Sequence, residues 1–415
     1  MDLIGRSIAA AVAENIAAPL YRRSALAREI PSVFLRRLLL NRHIRTGNIP
    51  ALFADLTQEY GPVFLIRPPF TEPLIFVGGP EANQWVHKRG RMYLRSKDYF
   101  DEFAKVYGAS GLLPGLDGVE HFRLRKALQS AYSRERLASQ LDELLHYART
   151  YMADWKVGDS FPAAGMCRMM INAQLSPLFL SIESQDVIDD MLKYKERALT
   201  VHVMKAMPKF MLKTPGMRRK AKIIDELVER VLTTHTPAQR AGQSRGLADD
   251  LLSLHASDPL LMPESNLSFV FSAALIASVY LGDAFSFTVY AMASQPELYE
   301  QIRREADALF ENGDPVREDF TPEAIDVTHR FLMESLRMYP IVPMSIRNVM
   351  NSCTIEGYDL PVGTRLHIAQ TASHFMDDVF PEPYTFDIDR YLPPRNEHHS
   401  HEPVPENPCT TRKEW

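Results

Sequence analysis

Apolar and polar positions along the chain follow two periods. Residues 62–79 (PVFLIRPPFTEPLIFVGG) hold two runs of β-branched and aromatic side chains around a proline-containing turn, which predicts a hairpin. From about residue 80 to 340 the apolar residues recur every three to four positions, and 120–137, 140–155 and 223–232 each predict helix. After Pro340 the pattern shortens again. CTIEGYDLPVGTRLHIAQ (353–370), with glycines at 357 and 363, predicts short strands joined by turns. THTPAQRAGQSRG (234–246) reads as a mobile polar loop. The fold class expected is mainly α with a small β portion.

Two apolar segments raise the question of a membrane. Asp283 is the only charged residue in 266–296, and a spanning helix needs roughly 20 apolar residues. An acid, a glycine and several serines at its centre predict instead a helix buried inside a large soluble protein, with no transmembrane anchor. Residues 1–23 are broken by Glu14 and predict a short amphipathic helix, not a secretory signal. The methionine- and lysine-rich stretch 193–222 predicts a solvated helix pair with methionines packed beneath it.

Composition narrows the class. The chain has 415 residues, 46% hydrophobic and 24% charged, with net charge -5, which gives no reason to expect a nucleic-acid partner. Its three cysteines, Cys167, Cys353 and Cys409, are too scattered for a disulfide framework, so a cytoplasmic location is expected. The absence of repeats argues against an α-helical scaffold of stacked units.

Candidate chemistry concentrates late in the chain. In FLMESLRMYP (331–340), Glu334 and Arg337 share one helical face among apolar neighbours, where unpaired charge is costly. FPEPYTFDIDRY (380–391) places Arg390 in an irregular proline-rich segment. Glu334, Arg337 and Arg390 are expected to form a buried triad, because a planar guanidinium can hold a carboxylate through two hydrogen bonds.

Together these motifs resemble the paired signature of the cytochrome P450 monooxygenases. HFRLRKALQSAYS (121–133) is similar to that family's helix contacting the haem propionates, and PMSIR (343–347) to its propionate-binding arginine segment. The resemblance implies a P450 fold and haem b as cofactor. It also implies oxygen insertion into an apolar small molecule, with electrons from an external ferredoxin or reductase. His121 and Arg125, four apart on one helical face, and Arg347 would then meet the haem carboxylates. In the family's central helix a glycine, an acid and a threonine shape the oxygen pocket. Here Gly282 fits the glycine, Asp283 lies one position before the usual acid, and Phe285 replaces the threonine with Ser286 beside it. Proton relay by Asp283 and Ser286 is the corresponding expectation.

The resemblance stops near Arg395. The family's Phe-x-x-Gly-x-x-x-Cys-x-Gly loop and the helix after it are missing, and Gly363 is the last glycine. Cys409 is the remaining candidate thiolate, displaced from its usual place, while His398, His399 and His401 read as a solvated cluster. The expected organisation is an N-terminal segment 1–44, an incomplete P450-like domain 45–395 and an aberrant disordered tail 396–415, as from a frameshifted or truncated coding sequence. Haem would bind weakly or not at all. The alternative reading is a non-catalytic relic that holds haem weakly or only an apolar ligand.

Overall fold

The computed structural model describes residues 29–67, 73–96, 118–202 and 207–399, with positions 100, 113 and 116 between them. The N-terminal helix expected over 1–23 and Cys409 lie outside the described residues. The chain divides into two compact units, one formed by residues up to Arg95 and from Val342 onward, the other by Ser96–Ile341.

The first unit is built on a sheet. Strands β1 (Ser32–Val33), β2 (Val63–Ile66), β3 (Leu74–Gly78), β4 (Leu94–Arg95), β5 (Ser345–Val349) and β8 (Arg365–Ala369) are ordered β1-β2-β3-β8-β5-β4. β6 (Cys353–Ile355) and β7 (Tyr358–Leu360) form a separate hairpin. β2 and β3 pair antiparallel with Phe64 opposite Phe76, as the alternation predicts, and β3 runs parallel to β8 with Phe76 opposite His367. Glycines close the turns: Gly357 and Gly363 take φ of 83° and 85°, a region open to glycine at little cost. Because side chains alternate across a sheet, Phe64, Phe76 and Ala369 share one face. They pack there with Leu52, Phe53 and Leu56 of helix α1 (Ile49–Tyr60). Val63, Val77, Leu366 and Ile368 take the other face, with Trp85 and Val86 of α2 (Pro80–Tyr93) and the β6-β7 hairpin. α1 starts where the Asn48 side chain accepts from the N–H of Ala51 at 3.1 Å, and it ends at Gly61 with φ 93°.

Ser32 and Val33 already pair in the sheet, so residues ahead of 45 belong to the unit. Glu397–His399, assigned to the tail, form a 3-10 turn in which Glu397 is buried.

The second unit is helical. It comprises α3 (Gly118–Leu128), α4 (Leu141–Met152), α5 (Ala163–Leu180), α6 (Ile188–His202), α7 (Pro215–Thr234), α8 (Leu247–Ser257), α9 (Glu264–Ser294), α10 (Pro296–Leu309) and α11 (Asp326–Met338). One core joins Leu124, Phe179, Met191, Leu227 and Leu251 to Leu267, Phe271, Leu275 and Val279 of α9. Ala274–Ser294 is long and apolar enough to cross a membrane by length and composition, yet the same helix supplies that run of core residues at helical spacing. The stretch 193–222 is not uniformly solvated. Lys195 is 1% exposed, and burial pushes its ammonium well below the usual lysine range. The polar segment 234–246 is tied down: Pro237–Arg240 forms a helical turn, and Arg240 is bonded to Asp249.

Candidate functional site

Gly282 sits where α9 crosses α5. A Cβ at this position would lie 2.5 Å from Arg168 Cα and 2.9 Å from its backbone nitrogen, so only glycine permits the approach. One residue on, the Asp283 carboxylate accepts from Arg168 Nε at 2.6 Å and from Nη2 at 3.0 Å. This fork raises the arginine above its ordinary pKa, its bond to Asp283 being the largest cause. Ser286 Oγ donates to the backbone carbonyl of Asp283 at 2.8 Å. Asp283 and Ser286 thus meet through a main-chain oxygen, and the carboxylate is held by Arg168, a partner that sequence spacing gave no means of finding.

The C-terminal half of α9 presents apolar side chains outward. Tyr280, Leu281, Phe287 and Tyr290 are exposed, and the Phe287 ring stacks on Tyr339, which follows α11, at 5.1 Å. In α11 the expected pair forms: Arg337 donates from Nε and Nη2 to the two Glu334 oxygens, each at 2.8 Å. Both are buried, at 3% and 0% exposure, so this is no surface bridge. On α3, His121 is half-buried and Arg125 exposed.

In the sheet unit, Arg347 is half-buried on β5, its Nη1 donating to the Ile346 carbonyl at 2.7 Å. Arg390 is fully buried. Its guanidinium donates to Glu397 at 2.5 Å and to the carbonyls of Pro381, Asp387, Glu382 and Thr385. Arg395 bridges Glu397 and Asp387, at 2.7 Å to each. Glu397 was the residue missed here, since nothing in a polar stretch marks one acid as the partner of a buried arginine. The His398 ring, read as solvated, lies tilted against Tyr391 and His399, with centroids at 5.4 and 3.8 Å.

The described sulfurs do not suit a metal. Cys167 and Cys353 are buried, and burial pushes both thiols up, Cys353 to about 11, which favours the neutral form. Among the described residues no group of three or more His, Cys, Asp or Glu side chains could hold a metal ion. An axial thiolate has no source among the described residues.

The sequence and fold are similar to known proteins. A family model described as cytochrome P450 matches residues 31–405. Cyclooctat-9-en-7-ol 5-monooxygenase of Streptomyces melanosporofaciens is 24% identical over 316 residues, 71% of this chain and 65% of that protein. Taxane 10-beta-hydroxylase of Taxus cuspidata is 24% identical over 379 residues, 85% of this chain and 72% of that protein. The chain spans about two thirds of the length of curated relatives it matches. Among solved structures, retinoic acid-bound cyanobacterial CYP120A1 superposes with a TM-score of 0.69 at 19% identity, covering 90% of this chain and 84% of that one. That identity carries the fold alone. The family model takes in most of the chain, from β1 past the buried Arg390–Glu397 pair: the chain belongs to the cytochrome P450 family.

Proposed function

We propose that this chain is a P450-type monooxygenase scaffold that binds haem b and an apolar small molecule and takes electrons from an external ferredoxin or reductase in the cytoplasm. The observation carrying the reading is the family match over residues 31–405, which includes the buried Glu334–Arg337 fork. In this reading His121, Arg125 and Arg347 supply hydrogen-bond donors to the haem carboxylates, those of the arginines being charge-assisted. The exposed apolar face of α9, with Tyr280, Leu281, Phe287 and Tyr290, supports an apolar ligand. Asp283 and Gly282 hold the α5–α9 crossing, where the Asp283 carboxylate is engaged by the Arg168 fork. Haem with a thiolate ligand would supply the activation of dioxygen. Cys409, which lies outside the described residues, is the candidate for that ligand in this chain.

The burial of Cys167 and Cys353 favours a second reading, a scaffold that holds haem weakly or only an apolar ligand. Titration of the purified chain with haemin separates the two. The monooxygenase reading expects one haem per chain and at least about tenfold weaker binding in Arg125→Ala/Arg347→Ala, a loss of 1.4 kcal/mol or more. No saturable uptake, or uptake indifferent to the two arginines, would leave only the second reading.

A further inference from the structure

One stretch of the sheet unit is at once basic, apolar and exposed. Residues 30–54 hold four arginines, Arg36, Arg37, Arg42 and Arg45, and no aspartate or glutamate. Two short helices, Leu35–Leu40 and Arg42–Thr46, run through this stretch ahead of α1.

The local fold decides which side chains face out. Val33 is buried in β1, and Leu38 packs against the core that holds Phe64 and Phe76. Asn41 is buried: its Oδ1 accepts from the His43 N–H at 2.8 Å, and its Nδ2 donates to Asp55 at 2.9 Å. The His43 ring is buried against Tyr384, with centroids 5.7 Å apart. With these residues turned inward, Phe34, Leu39 and Leu40 stand 69%, 63% and 79% exposed, and Ile44 is exposed as well. Apolar side chains scattered singly over a surface are ordinary, whereas a group of them marks a surface that meets something.

Charge names the partner. Arg36 and Arg45 are exposed, and neither has an acidic partner among the described residues. Arg37 donates from Nε to Glu59 at 2.6 Å, and the Arg42 guanidinium lies 5.5 Å from the centre of the Tyr384 ring, where it keeps its charge. Arginines interleaved with bulky apolar side chains, with no acid between them, complement a layer that is anionic at its surface and apolar beneath. A bilayer of acidic lipid is such a layer. A long arginine side chain can lie along the apolar boundary and leave its guanidinium at the phosphates.

We propose that residues 34–45 dock this chain peripherally on a membrane surface rich in anionic lipid. Phe34, Leu39, Leu40 and Ile44 enter the headgroup boundary, and Arg36 and Arg45 meet the phosphates. Co-sedimentation of the full chain with phosphatidylglycerol vesicles, and separately with phosphatidylcholine vesicles, tests this. Phosphatidylglycerol should be bound at least about tenfold more tightly, and less so as salt is raised. Leu39→Ser/Leu40→Ser should weaken that binding at least about tenfold, and Arg36→Gln/Arg45→Gln should erase the preference for the anionic lipid. All four positions are exposed, so both variants should unfold at the temperature of the parent. Leu260→Ser, at a leucine 94% exposed in the helical unit, should bind like the parent. Vesicle binding needs no haem, so its failure would leave the haem reading untouched. Absence of binding to phosphatidylglycerol, or unchanged binding in the folded Leu39/Leu40 variant, would overturn the proposal. So would a dimer in light scattering that this variant dissolves while the parent binds no vesicle, which would make the face a contact between two copies of the chain.

Discussion

Arg168 and Asp283 are joined by a two-pronged ion pair, Nε to Oδ1 at 2.6 Å and Nη2 to Oδ2 at 3.0 Å, at the crossing of α5 and α9. Their side chains are 36% and 21% exposed, so water screens the pair in part. Asp283→Asn should therefore cost about 1–2 kcal/mol, less than a fully buried bridge. Urea unfolding with Arg168→Ala and the double variant would show the two losses to be non-additive; strict additivity would mean that the fork contributes nothing.

The neighbouring glycine makes a sharper forecast. At Gly282 a methyl group meets the α5 backbone, which cannot swing aside as a side chain would. Gly282→Ala should destabilise by about 1–3 kcal/mol through overpacking. Gly165, in α5 itself, has nothing within 4 Å of its added Cβ. Gly165→Ala should stabilise by about 0.5–1 kcal/mol, since alanine restricts the unfolded chain more. Matching thermal shifts for the two variants would contradict this reading of the crossing.

Acid sensitivity should trace in part to His367. Its ring is buried in the sheet, 4.9 Å from Phe76, and burial, reinforced by nearby Arg365, lowers its pKa from 6.5 to about 4. The folded imidazole stays neutral in the window between those values while the unfolded one takes up a proton. The unfolded state binds more protons there, so stability is full above the unfolded pKa and falls as pH drops through the window. Between about pH 7 and 5 the loss from this group should reach roughly 2 kcal/mol. His367→Phe should remove that share of the decline in urea unfolding; an unchanged pH slope would exclude His367 as its source.

In the sheet unit, Glu397→Ala should cost about 3 kcal/mol, because it strips a carboxylate from a fully buried guanidinium. Chemical denaturation measures this directly. A loss below about 1 kcal/mol would mean that Arg390 is satisfied without Glu397.

What the sequence made legible follows from locality. The hairpin of β2 and β3 and the turns at Gly357 and Gly363 were readable because alternation and turn chemistry act over a few residues. The Glu334–Arg337 fork was readable because both residues lie on one helical face. Arg168 was not, since 115 residues separate it from Asp283 and no periodicity links them. The close approach of α5 at Gly282 was not legible either, since it too depends on packing between distant segments. Lys195 and Glu397 misled in the same way. Each is a charge in a polar context that only packing reveals as buried.

The central proposal is that this P450-family chain binds haem with Cys409 as its thiolate ligand. The carbon monoxide spectrum of the reduced, haem-loaded protein, recorded beside Cys409→Ser, tests it most directly. The account predicts a thiolate-type Soret band in the parent that is lost in the variant. A histidine-type band in both, or no haem-derived band at all, would contradict it.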